Sequence, residues 1–221
     1  MKSLIRVILI IAACFGTTFL IIKFSGLLTI EQIEYWLERA QSLSTALVAL
    51  IVVMLLFADL FIAVPTLTIV ILSGYFLGHA YGAVSSLLGI MLAGIVGYIV
   101  SYHYGNNILN ILIKEKQKRT ELIHSFEQHG FAMILLSRSI PILPEITACL
   151  SGMTKMRFTK FLLAWMISSI PYVVIASYAG SISTIDNPQP AIFTAIGISS
   201  LLWLCWFLYQ RNIIRQASKY G

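Results

Sequence analysis

The sequence predicts an all-α polytopic membrane protein. Its centre is an inverted repeat of two re-entrant, proline-broken hairpins, each followed by a transmembrane helix, with flanking helices on both sides. Three observations predict this. First, 58% of the 221 residues are hydrophobic and only 11% charged, where soluble domains carry about 25% charged residues; the mean hydropathy is +0.88. Second, apolar runs recur at 7–22, 44–64, 66–77, 83–104, 131–143, 158–179 and 191–209, several near the ~20 residues that span a 30 Å hydrocarbon core. Third, prolines and charges interrupt two of these regions in a related way, at Pro65 and at Pro141 and Pro144.

The elements follow in order. Residues 7–22 form a first spanning helix preceded by Lys2 and Arg6. Ile11-Ala12-Ala13-Cys14 resembles a lipoprotein cleavage box, but the apolar run continues to Ile22, which favours an uncleaved signal-anchor. In 29–41, Ile30, Ile33, Leu37 and Ala40 recur at helical spacing with Glu31, Glu34 and Glu38 between them, giving an amphipathic helix at the interface. Residues 43–77 form a hairpin bent near Pro65, and 83–104 cross the bilayer. The polar stretch 106–130, with Lys114, Lys116, Lys118 and Arg119, is expected as a second interfacial helix. Residues 131–150 form a hairpin bent at Pro141 and Pro144; 158–179 cross, 181–190 loop, and 191–209 return to a basic tail. This divides the chain into an N-terminal anchor and amphipathic helix (1–42), a central domain (43–180) and a C-terminal helix with its tail (181–221).

With both termini cytoplasmic, this threading puts twelve of the fifteen basic residues inside and only Lys23 and Arg39 outside, with Arg138 in the membrane. That bias obeys the positive-inside rule. The expected location is a bacterial cytoplasmic (inner) membrane. The net charge of +6 is spent on helix flanks, so nucleic acid is not expected as a partner.

An internal repeat supports the architecture. One copy starts at Pro65, passes Leu72-Ser73-Gly74 and ends at Ser101-Tyr102-His103-Tyr104-Gly105; the other starts at Pro144, passes Leu150-Ser151-Gly152 and ends at Ser177-Tyr178-Ala179-Gly180. Short apolar segments interrupted at corresponding places in two halves point to a binding site between them.

Chemistry concentrates in the breaks. Asp59, Arg138 and Glu145 are charges inside apolar stretches, each costing roughly 2.5–3.5 kcal/mol at a bilayer centre. In Arg138-Ser139-Ile140-Pro141-Ile142-Leu143-Pro144-Glu145 two prolines break the helix, and the freed carbonyls must be buried in protein or line a cavity. A guanidinium beside that break can grip phosphate or carboxylate with its planar fork; the plainer alternative is an Arg138–Glu145 pair that closes the hairpin. Candidate substrate-binding residues are Arg138, Pro141, Pro144, Glu145, Pro65, Ser73, Gly74 and Gly152, and candidate proton-handling residues are Asp59 and Glu145. Glu145 is seven residues from Arg138, whereas the nearest base before Asp59 is Arg39. Asp59 is therefore the expected proton carrier and Glu145 the expected counter-ion; the alternative for Asp59 is a salt bridge to Arg138 or a snorkelling position near the interface.

Other chemistries find no support. There is no phosphate-cradling loop, zinc-protease helix, nucleophile elbow or triad pattern, and Cys14, Cys149 and Cys205 lack metal-ligand spacing. No enzyme activity, cofactor or metal is expected. Expected partners are membrane lipids with an anionic or phosphate-bearing headgroup, and a homo-oligomer is compatible with the sequence.

Several of these residues together resemble the DedA superfamily, in its VTT (SNARE-associated) domain branch. They are the Pro65 hairpin with Ser73-Gly74-Tyr75-Phe76-Leu77-Gly78 and Tyr81-Gly82, then Leu136-Ser137-Arg138 with the R-x-x-P-x-x-P pattern, then Gly152 and Arg157-Phe158. Many bacterial members carry a second arginine three residues after the first proline; Pro144 stands there in this chain, which favours the VTT-like branch. The resemblance implies two opposed re-entrant hairpins and movement of phospholipid or polyprenyl-phosphate lipids between leaflets, often linked to the proton gradient. The expected function is thus a lipid flippase or scramblase. The alternatives are a secondary transporter of a small ion or solute, and a non-transporting membrane scaffold.

Overall fold

The computed structural model describes residues 44–61, 65–112, 116–139, 143–184 and 187–217. The expected anchor and amphipathic helix within 1–42, and Pro141, lie outside them. Every regular element among the described residues is helical: α1 (Thr45–Ala58), α2 (Thr66–Leu112), α3 (Lys116–Leu136), a 3-10 turn (Ser137–Ser139), α4 (Leu143–Met153), α5 (Phe158–Ser181) and α6 (Gln189–Ala217).

Helix α2 is two helices joined at Gly78, whose φ of 74° and ψ of 169° break the helical path. A residue without Cβ takes that conformation at little cost. The short arm, 66–77, folds back on the long arm, 79–112: Ser73 Oγ lies 2.7 Å from Ser86 Oγ and donates to the Gly82 carbonyl at 3.1 Å. The second half turns at Lys155 instead, between α4 and α5, with φ of 57°. A lysine there costs about 1–2 kcal/mol that glycine avoids.

Among the described residues, two helices are long and apolar enough to cross a membrane, Thr66–Gly105 and Phe158–Ser181. The long arm of α2 and α5 run antiparallel. They meet where Trp165 lies against Gly94 and its indole N–H donates to the Ile90 carbonyl at 3.2 Å. At 14 residues, α1 rises about 21 Å, short of the ~30 Å core; α4, at 11 residues, is shorter still.

The two halves exchange their short helices. Gly74, on the short arm of α2, abuts Ser177 near the end of α5, and Gly180 of α5 abuts Ile71. Gly152, on α4, abuts Tyr98, Ser101 and Tyr102 on the long arm of α2, and Gly105 there abuts Met153. The repeat relates Gly74 to Gly152 and Ser101 to Ser177, so the two contacts are counterparts. A Cβ at Gly74 would sit 1.9 Å from the Ser177 oxygen, and one at Gly180 1.8 Å from the Ile71 oxygen; only hydrogen fits.

The helices α1 and α3 start from opposite ends of the two long helices. Helix α1 runs parallel to the long arm of α2, from Thr45 beside Tyr81 to Leu60 against Gly97. Helix α3 runs parallel to α5, from Glu127, whose carbonyl accepts from Lys160 Nζ at 3.4 Å, to Arg138 beside Ser169. The sequence places an interfacial helix at 106–130. The structure instead continues α2 to Leu112 and runs α3 through Gly130 to Leu136. Gly130 fails to end the helix because it packs under the Phe126 ring and keeps helical geometry.

Candidate functional site

Asp59, Thr66, Arg138 and Glu145 lie at the two hairpin tips. Asp59 follows the last residue of α1, and Thr66 opens α2 beside Pro65; Arg138 lies in the 3-10 turn after α3, and Glu145 is in the first turn of α4 beside Pro144. These positions correspond through the repeat: Asp59 to Arg138, Pro65 to Pro144 and Thr66 to Glu145 are each 79 residues apart. The same skeleton thus carries an acid at one tip and a base at the other.

The tips meet midway along the long helices. Thr66 Oγ1 donates to Asp59 Oδ2 at 2.6 Å, and Asp59 lies close enough to Glu145 for the two carboxyls to interact. Arg138 Nη2 donates to Ser169 Oγ at 2.8 Å, and its guanidinium lies 4.9 Å from the Tyr172 ring centroid and 5.5 Å from that of Trp165. Such contacts hold a desolvated cation by its flat face. Ser169 is eleven residues past the start of α5, which ends at Ser181, so the guanidinium is at mid-helix. Asp59 is 7% exposed, and both carboxylates act electrostatically on Arg138.

Glu145, the expected counter-ion of Arg138, lies near Asp59 as well as Arg138. The reason is register: α4 packs beside the long arm of α2, with Ala148 near Gly97, the residue that Leu60 also touches. That brings Glu145 to the end of α1. Among the described residues, Arg138 Nε and Glu145 Oε2 are each enclosed without a hydrogen-bond partner. Enclosed polar atoms of this kind are met by water or ligand, and here one donor and one acceptor stand open in the same cluster.

The remaining candidates divide. Pro65 and Pro144 flank the cluster, and Pro144 is buried. Ser73, Gly74 and Gly152 are elsewhere: the Ser73 hydroxyl is engaged by Val70, Gly82 and Ser86, and the glycines serve the helix crossings. Thr66, Trp165, Ser169 and Tyr172 escape the sequence argument. Thr66 was legible in the equal spacing of the two tips. The three α5 residues were not, because nothing local marks which face of a spanning helix meets a hairpin.

The VTT domain profile matches residues 64–182, which contain Arg138, Glu145 and Thr66 but not Asp59. The uncharacterized protein YqeD of Bacillus subtilis (strain 168) is 28% identical over 154 residues, covering 68% of this chain and 73% of that protein. No solved structure matches the chain.

Proposed function

The chain belongs to the VTT domain family, and from that membership and the geometry of its tips we propose an integral, multi-pass membrane transporter that moves a phosphate-bearing lipid between leaflets. The carrying observation is the meeting of Asp59, Glu145 and Arg138 at mid-helix, with Arg138 Nε and Glu145 Oε2 each enclosed there without a hydrogen-bond partner among the described residues. A cation held by aromatic faces, with an unused donor, suits a phosphodiester. Helices interrupted at the membrane centre are the usual place for such a site. The lipid-facing part is supported by Leu163, Ile167, Val174, Leu88 and Leu92, all well exposed on the two long helices; contiguous exposed apolar surface of this kind marks contact with partner or membrane.

The reciprocal helix exchange supports an inverted repeat of re-entrant hairpins. Single cysteines at Gln128 and Thr159, both exposed, in a background lacking Cys14, Cys149 and Cys205, are expected to label from one side of the membrane. Single cysteines at Ser44 and Asn187 are expected to label from the other. A hairpin that crossed fully would put Gln128 and Thr159 on opposite sides.

The deciding experiment is reconstitution of the purified chain into liposomes carrying a leaflet-labelled phospholipid, with a polyprenyl phosphate and a small anion as further substrates. Lipid movement above protein-free liposomes carries the proposal; movement of the small anion alone favours the solute transporter, and no movement favours the scaffold. The closeness of the two carboxyls adds an expectation, that they share a proton during transport. Asp59→Asn and Glu145→Gln each keep size and hydrogen bonding but remove titration, so either should flatten the pH dependence of transport, and to a similar extent. Rate-against-pH curves for both variants that keep the wild-type shape would leave a passive scramblase.

A further inference from the structure

A second polar site lies away from the tips, at the end of the long helices where α4 turns into α5. A pocket of about 470 Å³ opens there, lined by Tyr98, Tyr102, His103, Lys155, Arg157 and Phe158 among others. Its three basic residues come from three places: the long arm of α2, the turn, and the residue before α5. None of its lining residues is acidic. We propose that this pocket binds the headgroup of an anionic glycerophospholipid from the surrounding leaflet.

The floor is aromatic and fixed. Tyr98 stacks on Phe161 at 4.8 Å and on Tyr102 at 5.8 Å between centroids, and its hydroxyl donates to the Met156 carbonyl. Lys155 donates to the Tyr102 carbonyl and holds its ammonium 3.7 Å from the Tyr102 ring centroid, leaving further N–H donors for a ligand. The His103 Nδ1–H donates to the Ile99 carbonyl at 2.9 Å, which leaves its other ring nitrogen exposed. The side wall faces lipid: Ile99 is 44% and Phe158 40% exposed, and both belong to membrane-length helices. Acyl chains can lie along that wall while the phosphate meets the cations above it.

The backbone carries the same message. Each half has one left-handed residue at the turn from its short helix into its long one, Gly78 and Lys155. At Gly78 the strain is avoided; at Lys155 it is retained, and the side chain so placed is the cation of the pocket. Strain kept at a position where glycine would relieve it points to use of the side chain. A phosphodiester with an uncharged headgroup satisfies the cations, whereas a choline headgroup brings a like charge toward Arg157 and Lys155.

The proposal rests on the membrane placement and not on transport. The test titrates the purified full chain in detergent with dioctanoyl phosphatidylglycerol, dioctanoyl phosphatidylcholine or inorganic phosphate, reading the thermal midpoint. Phosphatidylglycerol should bind at least tenfold more tightly than phosphatidylcholine, and inorganic phosphate should give no saturable shift. Lys155→Gly, which suits the left-handed turn, should weaken phosphatidylglycerol binding at least fivefold while its lipid-free midpoint stays equal or rises. Arg157→Gln should weaken binding similarly without touching the turn. Arg138→Ala should keep the lipid preference even though it loses transport, which separates this site from the one at the tips. Equal affinity for the two lipids, or a preference retained in both Lys155→Gly and Arg157→Gln, overturns the proposal. So does inorganic phosphate binding as tightly as phosphatidylglycerol, which would mark a free-anion site.

Discussion

Arg138→Ala is expected to lower lipid transport by roughly 10- to 100-fold while the protein remains folded and inserted. Hydrogen bonds to a charged group contribute ~1.5–3 kcal/mol each, and each 1.4 kcal/mol is tenfold. The guanidinium is held from one side by Ser169, Tyr172 and Trp165, so its removal leaves the helices' own contacts in place. Arg138→Lys keeps the charge but not the planar fork, and should retain less than roughly half of wild-type activity. Both are measured in the liposome assay, with membrane content and thermal midpoint as controls. Near-normal transport by Arg138→Ala would remove the phosphate contact from the mechanism and leave Arg138 a structural cation.

The largest expected effect on stability comes from adding one carbon at the exchanged glycines. Gly180→Ala places a methyl 1.8 Å from the Ile71 carbonyl oxygen, and Gly74→Ala one 1.9 Å from that of Ser177. The obstacle in both cases is backbone, which cannot swing aside, so the helices must separate. Overpacking costs typically 1–3 kcal/mol and occasionally more; at these distances about 3 kcal/mol or above is expected. For a chain of this size that lowers the midpoint by roughly 6–12 °C. Gly197→Ala, on α6 with nothing within 4 Å, is the contrast: its intrinsic helix gain is about 1 kcal/mol, and its midpoint should hold or rise. Midpoints in detergent for the three variants check this. A Gly180→Ala protein as stable as Gly197→Ala would mean the two halves are not packed as described.

Much of this was legible because the chain breaks its own rules in few places. Pro65, Pro144 and the three charges stand out against apolar surroundings, and each is at a hairpin tip or beside one. The all-helical class and the spans at 83–104 and 158–179 follow from run length alone. Three things were hidden. The approach of Glu145 to Asp59 as well as to Arg138 depends on how α4 packs along α2, which sequence distance does not show. The left-handed turn at Lys155 gave no signal, since lysine does not advertise positive φ as glycine does. The packing duty of Gly74 and Gly152 was masked by their place inside the repeat motif, where a binding role is as natural as a close crossing.

The exchange of short helices sets a schedule for synthesis. Gly74 docks on Ser177, a residue made about a hundred positions later. At ~5–20 residues per second, the first hairpin waits for roughly 5–20 s after it leaves the ribosome before its seat exists. During that wait Asp59 has neither Glu145 nor Arg138 to answer its charge, and the short arm ending at Gly78 is too brief to hold itself across a bilayer. Until the second half arrives, the first hairpin lacks the surface it packs on. A truncation before α5 is accordingly expected to be cleared by quality-control proteases rather than to persist as a half-sized folded unit.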